Sequence, residues 1–397
     1  MLTAQRINLD APEFKTTVPQ VILAWWKHQA RFSGSYTGQQ KMMTSRERVL
    51  AAYGHREPDR VPLNYQANPE IDMALKKALG IDPGDHPGLA DALSVDFRGC
   101  YVRYEGPQLH KAPESMRVTE WGARTRWVEH SASGYWDFCE FPLAGNISVD
   151  DVDNWPMPDP DEYDYGWMRD YCTANRDFPL VLGGAGVGCI LNRVGQLRGM
   201  ANVLCNVVTG DVADMRLVER LHEIDLAIAQ RALAAVGDQA DIFSIGKDLG
   251  TQQGSIMPPQ VFRTVIQPRT QMFIDAAKKY DLLVMFHSCG SSSWAFNNLI
   301  DMGVDIIDTL QPEAAEMDPT ELKRAYGDRL AFHGMISTAG ALSFGTPGEV
   351  RDEVKRILDV MMPGGGYALA PTHMIQSNAP VDNVLAMYDT AREYGVY

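Results

Sequence analysis

No stretch of the 397-residue chain is apolar enough to suggest a membrane span. Its longest apolar runs, such as Val21–Trp26 and Leu282–Phe286, fall far short of the roughly 18 residues a spanning helix needs. The first residues, MLTAQRINLDAPEFK, carry charges and no apolar core, so no secretory signal is expected. Positive charge is in deficit: 36 Lys and Arg stand against 51 Asp and Glu, a net charge of −15. An acidic chain repels phosphate backbones, which argues against nucleic acid as a partner. No basic amphipathic stretch offers itself to a membrane surface. The six cysteines (Cys100, Cys139, Cys172, Cys189, Cys205 and Cys289) show no tight disulfide-like spacing. In a large acidic chain this predicts a reduced, cytoplasmic protein, in which a cysteine singled out by its neighbours serves a metal or catalysis. There is no internal repeat, no low-complexity tract and no glycine-rich nucleotide fingerprint after the first strand.

What is present is globular. At 45% hydrophobic and 22% charged, the chain is neither disordered nor collagen-like. Its length suits two or three domains or one decorated α/β barrel. Residues 1–43 read as an N-terminal arm, with an apolar helical face at Ile22, Trp25 and Trp26 that packs on the body or on a second subunit. The body starts at Thr44-Ser-Arg-Glu47, a capping box in which the Thr44 oxygen takes an orphan amide of the first turn. A second box, Thr346-Pro-Gly-Glu349, opens a helix striped by Val350, Val354, Ile357 and Met361. Leu217, Leu221, Ile224 and Ile228 mark another helical face.

Between such helical patterns lie short apolar runs: Val61–Tyr65, Leu180–Gly183, Ile242–Gly246, Leu282–His287, Val304–Asp308, Leu330–Gly334 and Gly366–Ala370. They are near-continuous rather than alternating, as strands buried on both faces require. With one further strand near Leu93–Phe97 they number eight, the count of a closed α/β barrel. A doubly wound open sheet is the alternative. Residues 98–178 break the rhythm with many aromatics (Tyr101, Tyr104, Trp121, Trp127, Tyr135, Trp136) and an acidic, proline-marked stretch. They read as a lid-like insertion over one end of the barrel.

In such a barrel the reacting groups gather where strands end. Three of the nine histidines stand there: His287, His333 and His373. In His287-Ser-Cys289-Gly290, residues i and i+2 of an extended segment point the same way, so an imidazole and a thiolate can reach one ion, and Gly290 permits the turn. The same spacing also suits a packed histidine beside an inert thiol. His373, at the end of the last strand, is placed to converge as a third ligand. Asp248, after another strand, is a further ligand, a base, an orienter of a ligand imidazole, or a loop cap. Asp308 and Gln311 are pocket groups or turn formers. His333 is a substrate hydrogen-bonder or a satisfied core residue, and Asn64 and Tyr65 end the first strand at the floor of the site.

These residues sit in a longer pattern. Thr44-Ser-Arg-Glu-Arg-Val-Leu50 and Asp59-Arg-Val-Pro62 are followed by Asp248-Leu-Gly-Thr-Gln252, Phe286-His-Ser-Cys-Gly290, Gly303-Val-Asp-Ile-Ile307 and Leu310-Gln-Pro312. Gly327-Asp-Arg-Leu330 and Gly364-Gly-Gly-Tyr-Ala-Leu-Ala-Pro371 complete it, with Asn383 and Tyr388 after. From Thr44 to Tyr397 the chain resembles the uroporphyrinogen decarboxylase superfamily, in particular its methyltransferase-like branch. The resemblance implies a distorted (β/α)8 barrel, in agreement with the strand count. True decarboxylases of this kind carry an arginine-rich stretch after the first strand, which binds porphyrinogen carboxylates. Here Asn64-Tyr-Gln-Ala-Asn-Pro-Glu70 has no arginine.

For the corrinoid-linked methyltransferases the resemblance implies a Zn²⁺ site made of His287, Cys289 and a later ligand, with Thr372-His373 where those enzymes have Gly-Cys. Lys247 stands where many relatives have a second acid. The implied activity is methyl transfer between a small methylated substrate, such as an O-methyl compound or methoxylated ring, and a corrinoid protein or thiol acceptor. Cobalamin would arrive on a separate partner chain, since no Asp-x-His-x-x-Gly motif is present. Asp248 and His333 are the expected catalytic groups; Asn64, Tyr65, Gln252 and Gln311 are the expected substrate contacts. A homodimer is expected. The alternatives are a metal-free decarboxylase or lyase acting on a small carboxylic acid, and a noncatalytic binding subunit.

Overall fold

The protein is described from a computed structural model, which covers residues 42–130 and 133–397. All but the last two residues of the expected arm therefore lie outside the described residues. Twelve strands follow in chain order: β1 (Arg98–Cys100), β2 (Arg103–Tyr104), β3 (Met116–Val118), β4 (Arg124–His130), β5 (Ser133–Glu140), β6 (Tyr163–Asp164), β7 (Leu180–Gly183), β8 (Ile242–Gly246), β9 (Leu283–Ser288), β10 (Ile306–Thr309), β11 (Ala331–Ile336) and β12 (Tyr367–Pro371). Seven of them form one sheet in the order β1-β7-β8-β9-β10-β11-β12, and every neighbouring pair is parallel. Strands β8, β10, β11 and β12 are buried along their whole length, which is why their sequences run apolar without alternation.

The expected first strand, Val61–Tyr65, does not extend into a ladder, because Pro62 has no N–H to donate. It closes the barrel all the same. Leu369 N–H donates to Pro62 O and Asn64 N–H donates to Leu369 O, each at 2.9 Å, while Asp96 N–H donates to Leu63 O at 2.8 Å. The chain at Leu63 is therefore the eighth stave of a distorted (β/α)8 barrel, lying between β12 and the residues that lead into β1. The strand expected near Leu93–Phe97 forms a few residues later, at β1.

The helix Ser45–Tyr53 plugs the N-terminal end. Thr44 caps it, with the reciprocal bond from Glu47. Its Val49 and Tyr53 meet Phe97, Ile242, Met285, Ile306, Ala331 and Ala368 in one apolar layer at the floor. The helices Val212–Val236 and Pro347–Met361 bury the faces marked by Leu217, Leu221 and Ile228 and by Val350, Val354 and Ile357. No described helix is long and apolar enough to cross a membrane. Between β1 and β7 the chain leaves the barrel. There β2 pairs with β6, and β3, β4 and β5 make a small antiparallel sheet.

Closure rests on one buried carboxylate. Asp96 is fully buried and accepts from Leu63 N at 2.9 Å, from Ser45 Oγ at 2.8 Å, from Arg48 Nη1 at 2.6 Å and from Arg60 Nη1 at 2.8 Å. It thus fastens the plug helix, the eighth stave and the approach to β1 at one point. D96A leaves Arg48 buried beside an emptied acceptor site and is expected to cost about 3–5 kcal/mol. The urea denaturation midpoint, compared with wild type at equal m-value, measures it.

Candidate functional site

Register builds the site. Asp308 on β10 is paired with His287 on β9 and with His333 on β11, so three side chains of adjacent strands stand at one height, above the apolar floor. His287 Nδ1 lies 2.6 Å from Asp308 Oδ2, and His333 Nδ1 lies 2.6 Å from Asp308 Oδ1. Burial opposes the charge of Asp308, but the imidazoles of His333 and His287 hold its carboxyl well below the usual range. Burial likewise works against an imidazolium at His287, and the Asp308 carboxylate outweighs it, raising that pKa well above normal.

The tautomer of His333 follows from its neighbours. Tyr65 N–H donates to Asn64 Oδ1 at 2.8 Å, which turns Asn64 Nδ2 towards His333 Nε2 at 3.1 Å. His333 Nε2 is then the acceptor and Nδ1–H the donor to Asp308. Both nitrogens of His333 are engaged, and its ring is buried against Phe97. Asn64, expected at the substrate floor, has both ends of its amide engaged in this chain, while Tyr65 turns its hydroxyl to Asp72 at 3.3 Å. Both still line the cavity described below.

His287 keeps Nε2 free of Asp308, and it lies 3.5 Å from Cys289 Sγ. Asp248, on the loop after β8, joins them. Its Oδ1 accepts from Cys289 N at 3.0 Å and its Oδ2 from Asn192 Nδ2 at 3.1 Å. Burial raises the Asp248 pKa, but the Cys289 amide and the Asn192 side chain carry it below normal. One ligand atom from each of Asp248, His287 and Cys289 lies within 4.8 Å of the others. For a tetrahedral ion at about 2.0 Å from nitrogen and 2.3 Å from sulfur, the nitrogen–sulfur edge is roughly 3.5 Å, so the imidazole–thiol pair fits zinc. No other such group occurs among the described residues.

His373, expected as the third donor, stands outside this group and is exposed. The cause is the direction of the chain after β12. Thr372 turns inward, fully buried, with its carbonyl on Thr309 Oγ1 and its own Oγ1 on Thr338 N. The next side chain of an extended segment faces the other way. Gln311 Oε1 accepts from Gly290 N at 2.6 Å and from Gln252 Nε2 at 3.3 Å, so these two glutamines clamp the turn after Cys289. Gly290 has φ +72°, and a Cβ there would lie 2.7 Å from the backbone of Gly250, so the turn requires glycine.

A cavity of about 1250 Å³ opens over the strand ends and is lined by His287, Asp308 and His333. Its outer walls come from the segment between β1 and β7, through Tyr101, Tyr104, Trp121, Tyr163 and Tyr171. Three further residues shape this region; Asn192 and Arg193 carried no distinguishing signal in the sequence, while Lys247 stood out only as a departure from the relatives' second acid. Asn192 holds Asp248, Arg193 lines the cavity, and Lys247 is buried beside Asp248 with its pKa drawn down by that burial.

The strand ends thus gather an imidazole, a thiol and two carboxylates next to an aromatic-walled cavity, in a parallel α/β barrel. The family model described as uroporphyrinogen decarboxylase (URO-D) matches residues 147–394, and the chain belongs to that family. Two curated relatives, both methylcobamide:CoM methyltransferase MtaA, one from Methanosarcina barkeri and one from its strain Fusaro / DSM 804, are each 29% identical over 163 residues. The match covers 41% of this chain and 44% of each relative, so the chain spans less than half of their length. A solved methyltransferase from Methanosarcina mazei shares the fold, with a TM-score of 0.62 at 17% identity, over 89% of this chain and 99% of that one.

N64A removes the hydrogen-bond donor to His333 Nε2. A buried acceptor left unpaired costs about 1–3 kcal/mol, and the thermal unfolding midpoint is expected to fall accordingly.

Proposed function

We propose that the protein is a zinc-dependent methyltransferase that moves a methyl group from a small O-methyl compound to a corrinoid carried by a separate cytoplasmic protein, or to a thiol. The observation that carries this reading is the Asp248–His287–Cys289 donor set, with its 3.5 Å imidazole–thiol edge, beside a large aromatic-walled cavity. The family membership and the similarity to the MtaA proteins support it.

His287 Nε2, Cys289 Sγ and one Asp248 oxygen hold the ion in this reading. Bound there, zinc supplies Lewis-acid chemistry, lowering the basicity of a leaving oxygen or the proton affinity of an acceptor thiol. Asp308 fixes the His287 ring by accepting at Nδ1, which leaves Nε2 directed at the ion. His333 and Asn64 act through Asp308 and are positioning residues. Asp248 is itself positioned by Asn192 and by the Cys289 amide. The tyrosines and Trp121 exclude water from the reacting methyl group. In the transfer, the acceptor's electron pair forms the new bond to carbon and the oxygen leaves with the old bonding pair.

Protein purified without chelator is expected to carry one zinc per chain by elemental analysis, and C289A is expected to carry none. Metal-free wild-type protein that nonetheless acts on a small carboxylic acid would instead establish a decarboxylase or lyase. D308N keeps the shape of the side chain but loses its charge. It is expected to weaken zinc binding by about 10–100-fold in competition with a chromophoric chelator, with the unfolding midpoint reported alongside.

A further inference from the structure

Between β1 and β7 the chain leaves the barrel and returns, and its outgoing and returning stretches touch at a neck. Arg98 sets its guanidinium carbon 3.8 Å above the Phe178 ring. Arg103 does the same over Trp167, also at 3.8 Å. Beside it β2 pairs with β6, Arg103 opposite Asp164 and Tyr104 opposite Tyr163. At the base, β1 pairs with β7, the strand on which the chain rejoins the barrel.

Cys100 and Cys172 form the middle rung of this neck. Cys100 is the last residue of β1, and Cys172 lies on the buried side of the helix Gly166–Ala174. Each is 1% exposed and both are free. Their sulfurs lie 4.0 Å apart, although 72 positions separate the two residues in sequence. A disulfide needs about 2.0 Å, so roughly 2 Å remain, which modest χ1 rotations at the two residues can close. The rungs on either side fix the distance between the two backbones.

The aromatic residues that wall the cavity all lie between these cysteines. Tyr101 is the neighbour of Cys100, with its ring folded back over Gly99, and Tyr171 is the neighbour of Cys172. A bond between the sulfurs would close residues 100–172 into a covalent loop that carries the outer wall. Burial pushes both thiols up, Cys100 to about 12, so neither reacts quickly while the neck is closed. At Cys172 burial is opposed by the contact with Cys100 and by the Arg169 guanidinium, which makes it the attacking sulfur.

We propose that Cys100 and Cys172 are a redox-modification site, at which a peroxide converts the thiol pair into a disulfide that latches the cavity wall to β1. The Cys172 sulfur attacks one peroxide oxygen and becomes a sulfenic acid; the O–O bond breaks, and the leaving hydroxide takes the thiol proton as water. The Cys100 sulfur then attacks the Cys172 sulfur, forming the S–S bond, and the expelled hydroxide leaves with the Cys100 proton as a second water. Two thiols are oxidised to one disulfide, and hydrogen peroxide is reduced to two waters. An external dithiol reverses the step. The slow thiols make the pair a latch set by sustained oxidation and not a fast sensor. The inference stands apart from the methyl-transfer reading, because neither cysteine belongs to the candidate metal site.

The test uses full-length C139S/C205S protein, which lacks the two exposed thiols and keeps the candidate metal site. The protein is treated with hydrogen peroxide, its free thiols are alkylated, and it is digested without reductant for mass spectrometry. A peptide pair joined through Cys100 and Cys172 is expected, and dithiothreitol is expected to release it. The oxidised protein is expected to unfold about 5 °C higher than the reduced protein, since the bond closes a long loop in the unfolded chain. C100A and C172A in the same background share every other thiol and are expected to show neither the link nor the gain. No joined pair after prolonged oxidation, a pair formed only in urea, or a pair without a higher midpoint would each overturn the latch. The joined peptide is read on the parent protein, so a variant that fails to fold leaves that readout in place.

Discussion

The site depends on one carboxylate shared between two imidazoles. Asp308 is buried, and a lone carboxylate at that depth would neutralise itself. It stays charged because β9 and β11 each bring an Nδ1 to 2.6 Å, one on each oxygen. The arrangement stitches three adjacent strands together above the floor layer. It also sets the direction of each ring's other nitrogen. His287 Nε2 turns to Cys289 and Asp248, and His333 Nε2 turns to Asn64 on the closing stave. The candidate donor set on one side and Asn64 of the closing stave on the other are thus tied to the same pair of oxygens.

Much of the architecture was legible in the sequence, because strands buried on both faces must be apolar throughout. The runs at 180–183, 242–246 and 282–287 show this directly. The first stave was legible as a short apolar segment but not as an incomplete ladder, since its pairing depends on what lies beside Pro62. In the site, His287 and Cys289 were readable as a pair because the period of a strand is two. The partnership of His287, Asp308 and His333 was not readable, because it is a matter of register between strands more than twenty residues apart. Asp308 alone looks like a turn former. His373 misled for a related reason. Its position at a strand end was correct, but whether it or Thr372 faces inward is decided by the carbonyl and hydroxyl partners of Thr372 across the barrel. Asp248 completes the candidate donor set from a loop, its carboxylate held by Asn192, a helix residue with no pattern of its own.

The segment between β1 and β7 contributes little to the barrel and much to the cavity. Its aromatic residues are spread over some seventy positions of sequence, and the short antiparallel pairings β2–β6 and β3–β4–β5 gather them on one side. The contact of Arg193 with Trp121 joins that wall to the helix that positions Asp248. Cavity shape and the geometry of the donor set are therefore mechanically connected. The glycine run at 183–188 escaped notice because a nucleotide fingerprint is sought after the first strand of an open sheet. Here it follows β7, the third stave of a barrel, and lies close against the end of β8.

The distribution of charge around the cavity separates this chain from a porphyrinogen decarboxylase more sharply than any single residue does. A substrate bearing many carboxylates needs cations on several walls. The stretch Asn64–Glu70, where such arginines would stand, has none and carries an acid. Arg98 lines the cavity, but its nitrogens are turned to the carbonyls of Val95 and Phe97 and towards Asp91, while its guanidinium packs on Phe178. The other lining arginine, Arg193, is paired with Asp225, and Glu120 and Asp308 line the cavity as well. A porphyrinogen would have to bury most of its charges against tyrosine and tryptophan faces without counter-ions, at a cost of several kcal/mol for each.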